Sequence, residues 1–281
     1  MKPRYAHLLS PLRVRGFTLK NRMTSSNSLP HFIQGPEPYP AQSVITHYAN
    51  RAKSGAAVVS VGGLNNFIRE KQYKMDMDMG HFVDWDLYDT QCQNYLAMLA
   101  DAIHYHQSVA CMCLFVGPPA FYPLKKLIDP PAVQGNYNGD TGDAAKPFDI
   151  PFEDHFTIER IPAHDLPEAY DEATLEKIAA SYAEQCAICR RLDYEMVNLH
   201  MCYRGNLPAK FFSPITNRRT DKFGGSLENR MRFPLLVLQK VREAVGPNTI
   251  IEIQWSTDDE PGGYTREDTV EFLNRAKEYV D

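Results

Sequence analysis

The sequence predicts an α/β protein built on a parallel sheet with its helices outside. Three observations carry this. Short apolar runs alternate along the chain with amphipathic helical patterns. The apolar runs, such as 56–63 and 108–117, do not alternate polar with apolar residues, so neither face of the sheet is open to water. The helical patterns end on capping residues, which sets their limits: Gly55 and Gly246 close two of them, and Thr265 opens a third.

The elements follow in order. "RMTSSNS" (22–28) reads as a first, polar strand, and "AQSVITHYANRAKSG" (41–55) as a helix closed by Gly55. "AAVVSVGG" (56–63) is short and β-branched, hence a buried strand. "TQCQNYLAMLADAIHYH" (90–106) is a helix, "SVACMCLFVG" (108–117) a strand, "EATLEKIAASYAEQCAICRRL" (172–192) a helix and "EMVNLH" (195–200) a strand. "SLENRMRFPLLVLQKVREAVG" (226–246) is a helix with Pro234 as a predicted kink. "TIIEIQWS" (249–256) is a strand, and "TREDTVEFLNRAKEYV" (265–280) a helix whose Thr265 cap is followed by Glu267 and Asp268. These make five strand–helix units. An open doubly wound sheet and a (β/α)8 barrel both fit, and periodicity does not choose between them. His200, Gly62, Gly63, Gly117 and residues 254–256 all fall at the C-terminal ends of strands, where either fold builds its site. The segment 118–168 is proline-rich and acidic, and at about 50 residues too long for a plain connection. It reads as an excursion over the site.

The bulk numbers exclude several partners. A net charge of −5 leaves no basic footprint for nucleic acid. No stretch approaches the ~18 apolar residues of a membrane span, and the N-terminus has no apolar core ahead of a small-residue cleavage site. Six scattered cysteines read as reduced thiols, which places the protein in the cytoplasm. Cys186 and Cys189 form a C-x-x-C inside an alanine-rich helix with no second pair at metal spacing, so they read as small packing residues. "KMDMDMGHF" (74–82) offers only two carboxylates and reads as loop; no metal site is predicted. His104 and His106 are expected on the surface near a helix C-terminus.

The segment "FFSPITNRRTDKFGGSLENRMRFPLLVLQKVREAVG" (211–246) resembles the flavin-dependent old yellow enzyme family. It is most similar to the bacterial branch of 2,4-dienoyl-CoA reductases and bile-acid-inducible NADH:flavin oxidoreductases. "LLSPLRVRGFTLKNRM" (8–23) and "HYANRAKSGAAVVSVGG" (47–63) resemble the family's opening hairpin, first helix and second strand. The resemblance covers most of 1–281 apart from 118–168. It implies one FMN-binding TIM (β/α)8-type barrel domain, here incomplete with about five βα units. It also implies NADH or NADPH as electron donor and a small α,β-unsaturated carbonyl compound as substrate, whose activated C=C bond is reduced.

Carried over by position, the resemblance gives His200 a hydrogen bond to the substrate oxygen. Tyr203 stands at the clamp's second position, where the family has His or Asn. Gly205 stands where many members carry a proton-donating Tyr, so Tyr203 is expected to supply the acid. Ser26, Asn27 and Ser28 would meet the isoalloxazine through their backbone, and Gly62 would lie close to the ring. Met112 falls where the family usually offers a Gln to the ring, and Gln254 where it usually offers an Arg. No Arg or Lys occurs anywhere in 249–260. Arg218, Arg219, Asp221 and Arg230 are expected to pin the loop after the site. Five units leave three unaccounted for, with the phosphate-gripping loops among them. The alternatives are therefore a remnant or split barrel without flavin chemistry, serving as an interaction or structural subunit, or an enzyme completed by a second chain. A lyase or aldolase is disfavoured, since no strand-end Lys is available for a Schiff base.

Overall fold

The computed structural model describes residues 4–28, 37, 39–65, 85–115, 166–202, 206–259 and 261–281. The predicted excursion (118–168, apart from its last three residues), the 74–82 segment and Tyr203 lie outside the described residues.

A short antiparallel hairpin comes first, β1 (Leu12–Val14) with β2 (Phe17–Leu19). Then β3 (Thr24–Ser25), α1 (Gln42–Lys53), β4 (Val58–Asn65), α2 (Thr90–His104) and β5 (Val109–Phe115) follow. After a 3₁₀ turn at Pro167–Ala169 come α3 (Glu172–Arg191), β6 (Met196–His200), the short α4 (Leu207–Phe212), α5 (Leu227–Val245), β7 (Ile250–Gln254) and α6 (Arg266–Ala276). The five strands β3 to β7 pair in chain order, all parallel.

A flat sheet would hold β3 and β7 about 19 Å apart, four strand spacings of ~4.8 Å. Yet the Gln254 amide, at the end of β7, donates to Asn27 Oδ1 just past β3 at 2.9 Å. Two side chains cannot span a flat sheet, so the sheet is curled. It is an incomplete (β/α)8-type barrel with an inner and an outer face, and the open doubly wound alternative is set aside.

The two faces have different chemistry because successive residues of a strand point to opposite sides. Val61, Met112, Val197 and Ile251 lie level across β4 to β7 and belong to the large outer core with the helices. The inner face starts with Val58, Cys111, Met196 and Ile250, which form a second cluster with Leu19. Leu12, Val14 and Phe17 of the hairpin pack against that cluster, so the hairpin plugs the N-terminal end of the lumen.

The capping residues read from the sequence have their partners. Thr265 and Asp268 form a reciprocal capping box at the start of α6. Gly55 and Gly246 close α1 and α5 with φ of +106° and +74°, where a glycine is needed. Helix α5 continues through Pro234. Cys186 and Cys189 are fully buried on α3, and burial pushes both thiols up from their ordinary range. His104 corrects its surface assignment. It is partly buried, and its Nε2 lies 3.0 Å from the Glu195 carboxylate, which holds the ring's pKa above its usual value.

The 211–230 segment is a pinned loop. Asn217 Nδ2 donates to the carbonyls of Phe211 and Phe223 at 2.6 and 2.8 Å. Arg230 donates to the carbonyls of Phe212 (2.8 Å) and Gly225 (2.6 Å). Arg219 pairs with Asp221 and donates to the carbonyls of Pro167 and Tyr170. The Arg218 backbone N–H donates to Glu168. The most recognisable motif of the sequence thus acts by holding backbone carbonyls, and it anchors the chain leaving β6 to the start of α5.

Candidate active site at the C-terminal mouth of the half-barrel

The polar residues of the inner face sit toward the C-terminal ends of the strands. Cys113, Asn198 and Glu252 lie level with one another on β5, β6 and β7, two residues beyond the apolar plug layer. They form a chain in which every donor points the same way. Gln254 Nε2 donates to Asn27 Oδ1 (2.9 Å), and Asn27 Nδ2 donates to Cys113 Sγ (3.2 Å). The Cys113 thiol donates to Asn198 Oδ1 (3.3 Å), and Asn198 Nδ2 to the Glu252 carboxylate (2.6 Å). A carboxylate can only accept, so it fixes the direction of the whole row. Burial first, and the Glu252 charge second, push the Cys113 thiol well up, which keeps it a neutral donor.

This geometry corrects one sequence assignment. Met112 is fully buried in the core between sheet and helices, on the outer face, so its side chain does not face the lumen. The strand parity that puts Val61 and Val197 beside it puts Cys113 on the lumen side instead. Asn27 and Gln254 meet directly, although they are 227 positions apart in the chain. Ser28 and Gly62 are linked through one phenol: the Gly62 N–H donates to Tyr48 Oη and the Tyr48 hydroxyl donates to the Ser28 carbonyl, both at 2.9 Å. Gly62 has φ +58°, and the β4–β5 register shifts between Val61 and Leu64. A side chain there would be strained, so the strand bulges at the mouth on a residue with no Cβ. The Ser26 carbonyl accepts from Arg51 Nη1 at 3.2 Å.

His200 closes β6, level with Gln254 on β7. It is 5% exposed, and burial lowers its pKa to about 4. The ring is therefore neutral at ordinary pH, and it can serve as a hydrogen-bond donor but not as a cation. Asn206, which opens α4, lies beside it with Nδ2 3.1 Å from Nδ1. Cys202 Sγ is 3.7 and 3.8 Å from the two ring nitrogens. Asn206, Cys113, Asn198 and Glu252 were not singled out from the sequence. Two of them carried a signal: Asn198 precedes His200 by two positions and Glu252 precedes Gln254 by two, so each pair shares a strand face. Cys113 had none, because "ACMCLF" is apolar on both faces.

The donor set fits the hydrogen-bonding edge of an isoalloxazine. That edge presents carbonyl acceptors and an N–H, and the Asn27 and Gln254 amides offer both kinds of group. The match is through neutral groups, since the Gln254 position carries no cation.

Comparison with known proteins places this geometry. The model of the NADH:flavin oxidoreductase / NADH oxidase family matches residues 7–279. The chain is 24% identical over 283 residues to a dimethylamine dehydrogenase of Hyphomicrobium sp., covering 99% of this chain and 35% of that protein. It is 24% identical over 253 residues to a multifunctional alkene reductase/demethylase OYE of Caballeronia cordobensis, covering 90% of this chain and 33% of that protein. The chain thus spans about a third of the length of these curated relatives. The structure of a 2-naphthoyl-CoA reductase in complex with 2-naphthoyl-CoA has the same fold, with a TM-score of 0.72 at 22% identity over 98% of this chain and 39% of that one. From the curled five-stranded sheet, the strand-end site and the match along nearly its whole length, the chain belongs to the NADH:flavin oxidoreductase / NADH oxidase family, the family of old yellow enzyme.

Proposed function

We propose that this chain is the flavin-binding half-barrel of an FMN-dependent NAD(P)H oxidoreductase that reduces the activated C=C bond of small α,β-unsaturated carbonyl compounds. The observation that carries the reading is His200: a buried, neutral imidazole at a strand end, level with the mouth amide Gln254. The alkene reductase among the relatives supports the reduction of a C=C bond.

When bound, FMN would supply hydride transfer from a nicotinamide to the β-carbon of the substrate. Asn27 and Gln254 would hold the ring's polar edge, and the Gly62 bulge would let the ring approach the backbone. His200 donates a hydrogen bond to the substrate carbonyl oxygen, where negative charge develops as hydride arrives. Low exposure strengthens that bond, because no water competes for the oxygen. Tyr203, three residues beyond His200, supplies the proton to the α-carbon. A second chain, or further strands of the same protein, would complete the barrel and hold the FMN phosphate.

The test is anaerobic turnover of 2-cyclohexenone by the FMN-loaded full chain with NADH or NADPH. Consumption of nicotinamide matched to formation of the saturated ketone is expected. Reduction of the bound FMN by one equivalent of nicotinamide, with the enone left untouched, would remove the ene-reductase assignment. An inert, flavin-free protein would favour the alternative of a barrel remnant acting as a structural subunit. Such a remnant is the case that the missing cation at Gln254 would suit.

A further inference from the structure

Among the described residues, Asn206 makes the contact that bears most directly on which nitrogen of His200 carries the proton. Asn206 is 2% exposed, and its Nδ2 lies 2.6 Å from the Cys202 main-chain carbonyl and 3.1 Å from His200 Nδ1. A main-chain carbonyl only accepts, so the amide is oriented with its NH₂ toward Cys202. That NH₂ has two hydrogens. One goes to the Cys202 carbonyl, and the other faces His200 Nδ1. A ring nitrogen that faces an N–H must present its lone pair. In a neutral imidazole the proton then sits on the other nitrogen. The Cys202 thiol is a weak competitor, at 3.7 Å from Nδ1 and 3.8 Å from Nε2. The ring's own main-chain carbonyl opposes this directly: of the two nitrogens only Nδ1 is near enough to the backbone to donate to it, so Asn206 must outcompete that carbonyl for Nδ1.

We infer that Asn206 is a positioning residue that locks His200 in the tautomer with the proton on Nε2. Nε2 is the ring nitrogen farther from the backbone, so the lock presents an N–H at the outer end of the side chain and prevents the ring from presenting a bare lone pair there. The lock itself rests on the local contacts alone. Its consequence, a donor set toward a substrate oxygen, rests on the ene-reductase reading. The pairing also explains why a polar amide is buried at the start of α4 without capping that helix: its side chain makes no cap hydrogen bond there. Its hydrogens are used on Cys202 and His200 instead.

The experiment is ¹⁵N–¹H correlation of the imidazole nitrogens in the full chain labelled with ¹⁵N-histidine. His200 is assigned among the nine histidines by its loss in His200→Gln. The wild type is expected to show a pyridine-type Nδ1 and a pyrrole-type Nε2–H. Asn206→Asp replaces the donor with a carboxylate, which should draw the proton to Nδ1, reverse the two shifts and raise the ring's pKa. With the donor reversed, enone turnover in that variant should fall about as far as it does on removing the ring. A pyrrole-type Nδ1 in the wild type overturns the inference, whether or not any variant folds. An unchanged tautomer in a folded Asn206→Asp also overturns it. A wild type with the stated tautomer but no enone turnover upholds the lock and removes the substrate reading, so the two failures are distinct.

Discussion

His200→Ala is expected to lower kcat/KM for an enone by about 100-fold or more while leaving FMN bound. Removing one preorganised donor to a developing oxyanion typically costs about 10²–10³ in rate. His200 is placed for the full effect, because it is 5% exposed and water cannot fill in for it without opening the site. Flavin should stay, since the ring's polar edge is assigned to Asn27 and Gln254. Steady-state kinetics with the enone varied, alongside the flavin absorbance of each preparation, separates the two. The same residue leaves a mark on stability against pH. Its pKa is about 4 in the folded chain and ~6.5 in an unfolded one. Between those values the unfolded chain binds the proton and the folded chain does not. Wild-type stability should therefore fall as pH drops from about 6.5 toward 4, and the alanine variant should lack that component of the slope.

Gly224→Ala is expected to be the most damaging conservative change in the pinned loop. A Cβ on Gly224 would lie 2.1 Å from the Arg219 carbonyl oxygen and 2.5 Å from Arg219 Cβ, far inside contact distance. Backbone cannot yield there cheaply. Arg219 is tied to Asp221 and to the carbonyls of Pro167 and Tyr170, and its guanidinium lies 5.8 and 5.7 Å from the ring centroids of Phe211 and Phe223. Overpacking commonly costs 1–3 kcal/mol, and a clash against fixed backbone belongs at the top of that range, about 3 kcal/mol or more. For a chain of this size that is a fall in Tm of roughly 6–12 °C. Gly225→Ala is a useful contrast. It has open space around its Cβ but φ of +75°, so its cost is backbone strain alone, about 1–2 kcal/mol. Differential scanning calorimetry of the two variants orders them; equal losses would mean that the loop yields at Arg219.

The outer core was legible because its signal is redundant. Val61, Val197 and Ile251 lie in short apolar runs that alternate with capped helices, so five parallel units could be counted from the sequence. The lumen was only half legible. Where a strand carries polar residues two apart, as Asn198 with His200 or Glu252 with Gln254, parity marks the inner face. Strand β5 has no such marker to set against the family alignment, which places Met112 at the ring, and Cys113 is the residue that faces the lumen. The curl of the sheet was not readable from periodicity at all. It depends on a contact between residues 27 and 254, which no local pattern encodes. Asn206 escaped for a similar reason: it comes after the strand, and only the turn that follows brings its amide back to His200.

The central claim is that the curled half-barrel holds a flavin at its mouth through neutral amides. Titration of the purified full chain with FMN, followed by the perturbed flavin absorbance band and by release of FMN on denaturation, tests it directly. The account predicts saturable binding of one FMN per chain, weakened when Asn27 and Gln254 are both replaced by leucine. A chain that stays colourless and leaves the FMN spectrum unperturbed would contradict it.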